Sequence, residues 1–107
     1  MYIDDCIQGI MKIFNAKYSK PINLGSSEKV TINQMINIIE EVASYKVKKK
    51  YLLNKPKGVR GRSSDNKLIN KTINWEPNIK LQKGLIKTYN WIFSELSSNY
   101  PNIKFRK

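Results

Sequence analysis

Apolar residues along the chain fall into blocks whose spacing separates helices from extended segments. In the first block, MYIDDCIQGIMKIF, Ile7, Ile10, Met11 and Phe14 recur at helical intervals. Asp4 and Asp5 stand at the mouth of this helix and read as caps that serve its dipole. Tyr2 and Ile3 look like the end of an extended segment with almost nothing before it, so the chain is expected to start inside a domain. Pro21 to Gly25 predicts a short strand closed by glycine and two serines. A helix follows, opened by a capping box of Thr31 and Gln34 and carrying Ile32, Met35, Ile36, Ile39, Val42 and Ala43 on a broad stripe down to about Tyr45.

Lys48 to Leu53 is the second expected strand. A short helix is predicted over Asn66 to Thr72 with Asp65 as its N-cap, then a turn at Asn74-Trp75-Glu76-Pro77. A last helix from about Leu81 to Leu96 aligns Leu81, Leu85, Tyr89, Ile92 and Leu96, and Trp75 is expected to pack beneath it. Beyond Ser97 the basic, polar tail is expected to fray. The order is α/β in character and mostly helical, but two short strands make a poor sheet by themselves. They would be satisfied by joining a larger sheet supplied by preceding sequence.

Composition narrows the chemistry. The 107 residues, 40% hydrophobic, bound the chain to one small domain or a portion of a larger one. The net charge of +12 raises nucleic acid or an anionic membrane as a partner. Lysine, asparagine and isoleucine number 17, 12 and 15, however, and all three have A/T-rich codons, so base composition accounts for much of the excess. The one cluster, Lys46 to Lys50, suits an edge strand guarded by lysine; a nucleic-acid surface flanked by Tyr45 and Tyr51 is the alternative. One cysteine and no histidine exclude an internal disulfide and any imidazole ligand or base. Cys6, inside an apolar helical run, reads as a small packed residue. Without a signal-peptide core or a spanning apolar stretch, the chain is expected to be cytoplasmic.

The segment with chemistry is GVRGRSSDN, Gly58 to Asn66. The chain has three arginines, and two of them, Arg60 and Arg62, flank Gly61 immediately before the predicted helix start. Guanidinium forks match phosphate oxygens in a way lysine cannot, and a helix N-terminus adds partial positive charge. An anionic diphosphate ligand is the expectation. A solvated basic loop, or arginines paired with nearby carboxylates, fits the residues equally.

Taken in order, YIDDCIQGI, PINLGSSEKVTINQM, GVRGRSSDN, INWEP and the Leu-x-x-Gly-Leu of the final helix resemble the C-terminal part of the extended short-chain dehydrogenase/reductase family, the NAD-dependent sugar-nucleotide epimerases and dehydratases. Within that family GVRGR-x-SDN and Thr-Tyr-x-Trp-Ile are most similar to the GDP-mannose 3,5-epimerase branch. The resemblance runs from Tyr2 to about Leu96. It implies that residues 1–97 are the substrate-binding C-terminal part of a Rossmann-type enzyme, with 98–107 a basic tail. It also implies that Arg62, with Arg60 as second donor, contacts the phosphates of a nucleotide sugar, here a GDP-hexose. The family's dinucleotide loop, its functional Tyr-x-x-x-Lys pair and its catalytic acid and base belong upstream of the matched region. No catalytic, cofactor-binding or metal-binding residue is therefore expected in this chain, and it is expected neither to bind NAD nor to turn over substrate alone. The parent enzyme is expected to be a homodimer whose Rossmann part is supplied in cis or in trans. Ile73-Asn74-Trp75 departs from the family's Leu-Gly-Trp, a change asparagine tolerates because it too adopts left-handed backbone.

Overall fold

The structure, a computed structural model, describes residues 1–59 and 61–101. Its elements are four helices, α1 (Ile3–Asn15), α2 (Ile32–Val42), α3 (Lys67–Ile73) and α4 (Leu81–Asn99). Among the described residues there is no strand, which corrects the two expected ones. Pro21 to Gly25 and Lys48 to Leu53 form no ladder, and Gly25 lies in a bend and Leu53 in a turn. A strand exists only through pairing, and these two segments lie in different compact units of the chain, Met1–Lys29 with Arg62–Gly84 and Val30–Gly61 with Leu85–Lys107. α4 runs to Asn99 rather than ending near Leu96; residues 102–107, where most of the expected frayed tail falls, lie outside the described residues.

The first unit is built around Trp75 and Ile69, 5% and 0% exposed. Trp75 packs on α1, where the expectation had placed it under α4. Its indole Nε1–H donates to Gln8 Oε1 at 2.8 Å. Gly9 makes room for it: a Cβ there would lie 2.7 Å from the ring and 2.5 Å from Leu24 Cδ1. α1 therefore turns a small, polar side inward, burying Asp5 and Gly9. Neither aspartate caps its helix by a side-chain bond from the N-cap, which is Tyr2. Asp5, 5% exposed, instead accepts the backbone N–H of Ile79 at 2.7 Å. Glu28 does the same for Leu81 N–H at 2.8 Å, supplying an acceptor to one of the unpaired donors at the start of α4. Two carboxylates thus hold the 79–81 segment. Asn74 ends α3 at φ 47°, in the left-handed conformation its side chain tolerates, and its N–H returns to Asn70 O at 2.8 Å.

In the second unit the capping box forms as the sequence predicts: Gln34 N–H donates to Thr31 Oγ1 at 3.1 Å and Thr31 N–H to Gln34 Oε1 at 2.7 Å. α2 closes in a Schellman turn, with Tyr45 N–H on Glu40 O, Ser44 N–H on Glu41 O and Ser44 at φ 48°. This reverses the chain, and the following residues run back beside the helix.

The lysine cluster is placed by that reversal. Glu40, 5% exposed, accepts Val47 N–H at 2.9 Å and carries Lys46 and Lys49 ammonium groups at 3.3 and 3.4 Å. Lys49 also donates to Asn37 Oδ1 at 2.7 Å, and Tyr51 OH to Asn33 Oδ1 at 3.3 Å. Positions 33, 37 and 40 share one face of a helix while 47, 49 and 51 share one side of an extended chain, so the two periods match. The edge-strand reading is replaced by a strap bound to the polar side of α2. The Val47 N–H bond, ahead of the lysine charges, holds the Glu40 carboxyl below the ordinary carboxylate range despite its burial.

Candidate functional site

The GVRGRSSDN segment reaches the first unit through its second half. Ser64 N–H donates to Ser26 O at 2.9 Å, and Asn66 Nδ2 to Gly25 O at 3.0 Å. The approach is close enough to need glycine at 25, since a Cβ there would come within 2.8 Å of Ser64 Cβ. α3 begins one residue later than expected. Its N-cap is Asn66, whose side chain makes no capping bond, while Asp65 Oδ1 accepts Lys67 N–H at 3.0 Å from the position before the cap. Asp65 still serves the helix start, but as an Asx turn, and Asn66 is released to tie the loop to Gly25.

Beside this tie lies an open cleft of about 440 Å³. Ser64, Asp65, Asn66 and Lys67 form one wall, and Ser27, Asn70 and Glu76 the rest. Every lining side chain is polar or charged. Ser64 Oγ and Asn66 Oδ1 are themselves buried, with no hydrogen-bond partner among the described residues, and the Ser64 hydroxyl lies toward Gly25.

Arg62, two residues upstream of Ser64, is exposed and does not line the cleft. Among the described residues no carboxylate pairs with it. Arg60, the second expected donor, lies outside the described residues. The site residues that sequence reasoning missed are Ser64, Asn66, Ser27 and Glu76. Their signal was local: the serines and asparagine stand inside the motif and directly after Gly25, but only the folded loop brings them to one cleft.

The chain is similar over nearly its whole length to sugar-nucleotide enzymes. It is 39% identical over 97 residues to GDP-mannose 3,5-epimerase of Arabidopsis thaliana, a match that takes in 89% of this chain and 25% of that protein. It is 35% identical over 91 residues to UDP-glucuronate 4-epimerase of Thermodesulfobacterium geofontis, covering 84% of the chain and 28% of that protein. UDP-glucuronic acid decarboxylase 6 of Arabidopsis thaliana matches at 29% over 84 residues, 78% of the chain and 24% of the relative. These relatives are enzymes of the extended short-chain dehydrogenase/reductase family, and the chain is homologous to a segment of each. It spans about a quarter of the length of these relatives. No protein-family model matches it.

In a segment homologous to such enzymes, the catalytic apparatus is the first thing to look for. The spacing Tyr-x-x-x-Lys occurs three times; Tyr100/Lys104 runs outside the described residues, which leaves one pair at Tyr45/Lys49 and another at Tyr51/Lys55. Neither pair lies on a helix, the one backbone on which residues four apart become neighbours. Lys49 is held by Asn37 and Glu40, and Tyr51 by Asn33. Neither pair is therefore offered as catalytic. Among the described residues no group of three or more potential metal ligands gathers, and no helix is long and apolar enough to cross a membrane.

Proposed function

We propose that this chain is the substrate-anchoring C-terminal part of an NAD-dependent sugar-nucleotide epimerase acting on a GDP-hexose, with residues 1–97 as the binding part. What supports this is an exposed Arg62, with which no carboxylate pairs among the described residues, in a segment whose relatives include GDP-mannose 3,5-epimerase. Arg62, with Arg60, presents guanidinium to the diphosphate. The acceptor-rich cleft, with Asp65 and Glu76 on its walls, suits hydroxyl groups better than phosphate, since like charges would repel a phosphate there. The diphosphate would therefore stay on the arginine side.

NAD would be held by the remainder of the enzyme, and the chain alone would be inactive. NAD would supply reversible oxidation of a sugar hydroxyl. The contribution of this chain is positional: remote charge is bound so that the sugar is oriented for the rest of the enzyme. We place the complete enzyme in the cytoplasm as a homodimer.

The test is calorimetric titration of the purified chain with GDP-mannose, GDP and UDP-glucuronate. Binding of GDP-mannose is expected, weakened by Arg62→Ala by about tenfold or more, as for loss of a charge-assisted bidentate contact of roughly 1.5–3 kcal/mol. Arg62→Lys should recover only part of it. Equal affinity for wild type and Arg62→Ala would refute the anchoring role, and NAD reduction by the purified chain would refute its inactivity.

A further inference from the structure

The turn that closes the lysine strap carries an unusual residue at its corner. Lys55 N–H returns to Leu52 O at 3.2 Å, so Leu53 and Asn54 form the corner. Such positions are ordinarily filled by glycine, proline, asparagine, aspartate or serine. Here one of the two is a leucine, 79% exposed, and Leu52 beside it is 55% exposed. Two adjacent leucines held out at a turn leave apolar surface in water that a partner could take up.

Cations stand around this tip, and the fold leaves four of them unspent. No aspartate or glutamate occurs between Glu41 and Asp65, whereas six lysines do. Lys46 and Lys49 are taken by Glu40. Lys48, Lys50, Lys55 and Lys57 are exposed, and no salt bridge engages them among the described residues. Two precede the turn and two follow its corner. The bonds of Lys49 and Tyr51 to α2 fix the arm from which Lys48 and Lys50 project. Base composition accounts for the number of lysines, but not for their standing on both sides of an aliphatic corner with no carboxylate among them.

We infer that this tip is a peripheral contact for an anionic lipid bilayer. Leu53 and Leu52 enter the boundary between headgroups and acyl chains, and the four lysines meet the lipid phosphates and carboxylates. Interfacial binding draws on buried apolar area and on attraction to anionic lipid together, and the tip presents both within one turn. A second copy of the chain does not suit the seat, because it would set lysine against lysine. Single-stranded nucleic acid would use the lysines and stack on aromatic rings, but it gives an aliphatic corner nothing to do. The contact is independent of the anchoring of a nucleotide sugar. It is also reversible, since two leucines insert far less apolar area than a spanning helix.

The test is flotation of the 107-residue chain with lipid vesicles. Binding is expected to phosphatidylcholine vesicles containing about one third phosphatidylserine, and not to phosphatidylcholine alone. Leu53→Asn should weaken it by about tenfold. Asparagine suits a turn corner and leaves the charge unchanged, so this variant keeps the fold, which circular dichroism checks. Lys48→Ala with Lys50→Ala should weaken binding by about twentyfold, roughly fivefold for each lysine. Phe14→Asn, at a position 81% exposed on α1, is the control and should change binding far less. An environment-sensitive fluorophore attached at Leu53→Cys in a Cys6→Ser background should shift to the blue with the anionic vesicles, and one at Phe14→Cys should not. Equal binding by wild type and Leu53→Asn, or no blue shift at position 53, would reduce the contact to bulk charge and overturn the proposal. A chain that ignores the vesicles and binds a single-stranded oligonucleotide through the same lysines would assign the cluster to nucleic acid and overturn it too.

Discussion

Gly9→Ala tests the packing of the first unit most sharply, because two effects of known size oppose each other. Alanine in a helix interior gains about 1 kcal/mol over glycine from backbone entropy. Against this, the new Cβ would lie 2.5 Å from Leu24 Cδ1 and 2.7 and 3.0 Å from two carbons of the Trp75 ring. Leu24 can rotate a methyl away. The indole cannot follow easily, since its Nε1–H is bonded to Gln8 and the ring is 95% buried. Overpacking of this kind costs about 1–3 kcal/mol, and the close ring contacts place it in the upper part of that range. The net expectation is a loss of about 1–2 kcal/mol, or a Tm lowered by roughly 5–10 °C.

Gly84→Ala is the internal control. There the nearest atoms are Tyr2 Cβ and Cδ2 at 3.3 Å, a contact that a partly open side chain relieves with a small shift, so the helical gain should leave stability unchanged or slightly raised. The assay is thermal melting followed by near-ultraviolet circular dichroism in a Trp91→Phe background, which leaves Trp75 as the sole indole. Trp91 is 63% exposed, so its removal costs little. If Gly9→Ala melted at or above the parent temperature, or if its cost persisted undiminished with Trp75→Leu, the packing of the ring on Gly9 would be wrong.

Two further perturbations address the buried carboxylates. Asp5→Ala should destabilise the chain by about 1–2 kcal/mol in urea unfolding, because it strands the part-buried Ile79 N–H, while Asp5→Asn, which keeps an acceptor, should cost less; equal costs would argue against the bond. Glu40 has its carboxyl pKa lowered in the fold, chiefly by Val47 N–H and then by Lys46 and Lys49, so its contribution is fully present above the unfolded glutamate pKa and disappears as pH falls through the folded value. Glu40→Gln should therefore flatten the acid limb of a stability-versus-pH curve below the ordinary carboxylate range, and an unchanged limb would show that the strap does not draw on this charge.

Much of the local structure was legible before any fold. The period of Ile32 to Ala43 and the Thr31/Gln34 pair define α2 and its cap, the spacing from Leu81 defines α4, and Asn74 announces a left-handed helix end, because each depends only on residues within one or two turns. The homology was legible too, carried by motifs in order. Arg62, the proposed anchor, stood out in the same way, as a rare arginine among lysines.

What only the tertiary structure decided is where those elements spend their side chains. Sequence periodicity marks an apolar stripe on α1 but cannot say that the opposite side faces inward, since this follows from Trp75 needing the space at Gly9, a residue 66 positions earlier. The same holds for Asp5 and Glu28 reaching the 79–81 backbone, for the lysines drawn to Glu40, and for Ser64 and Asn66 sharing a cleft with Ser27 and Glu76. Each is a contact between segments distant in the chain, fixed by which unpaired polar group or cavity lies opposite. The two extended segments show the converse. Their residues suit strands, but a strand is a property of pairs, and no partner for either lies among the described residues.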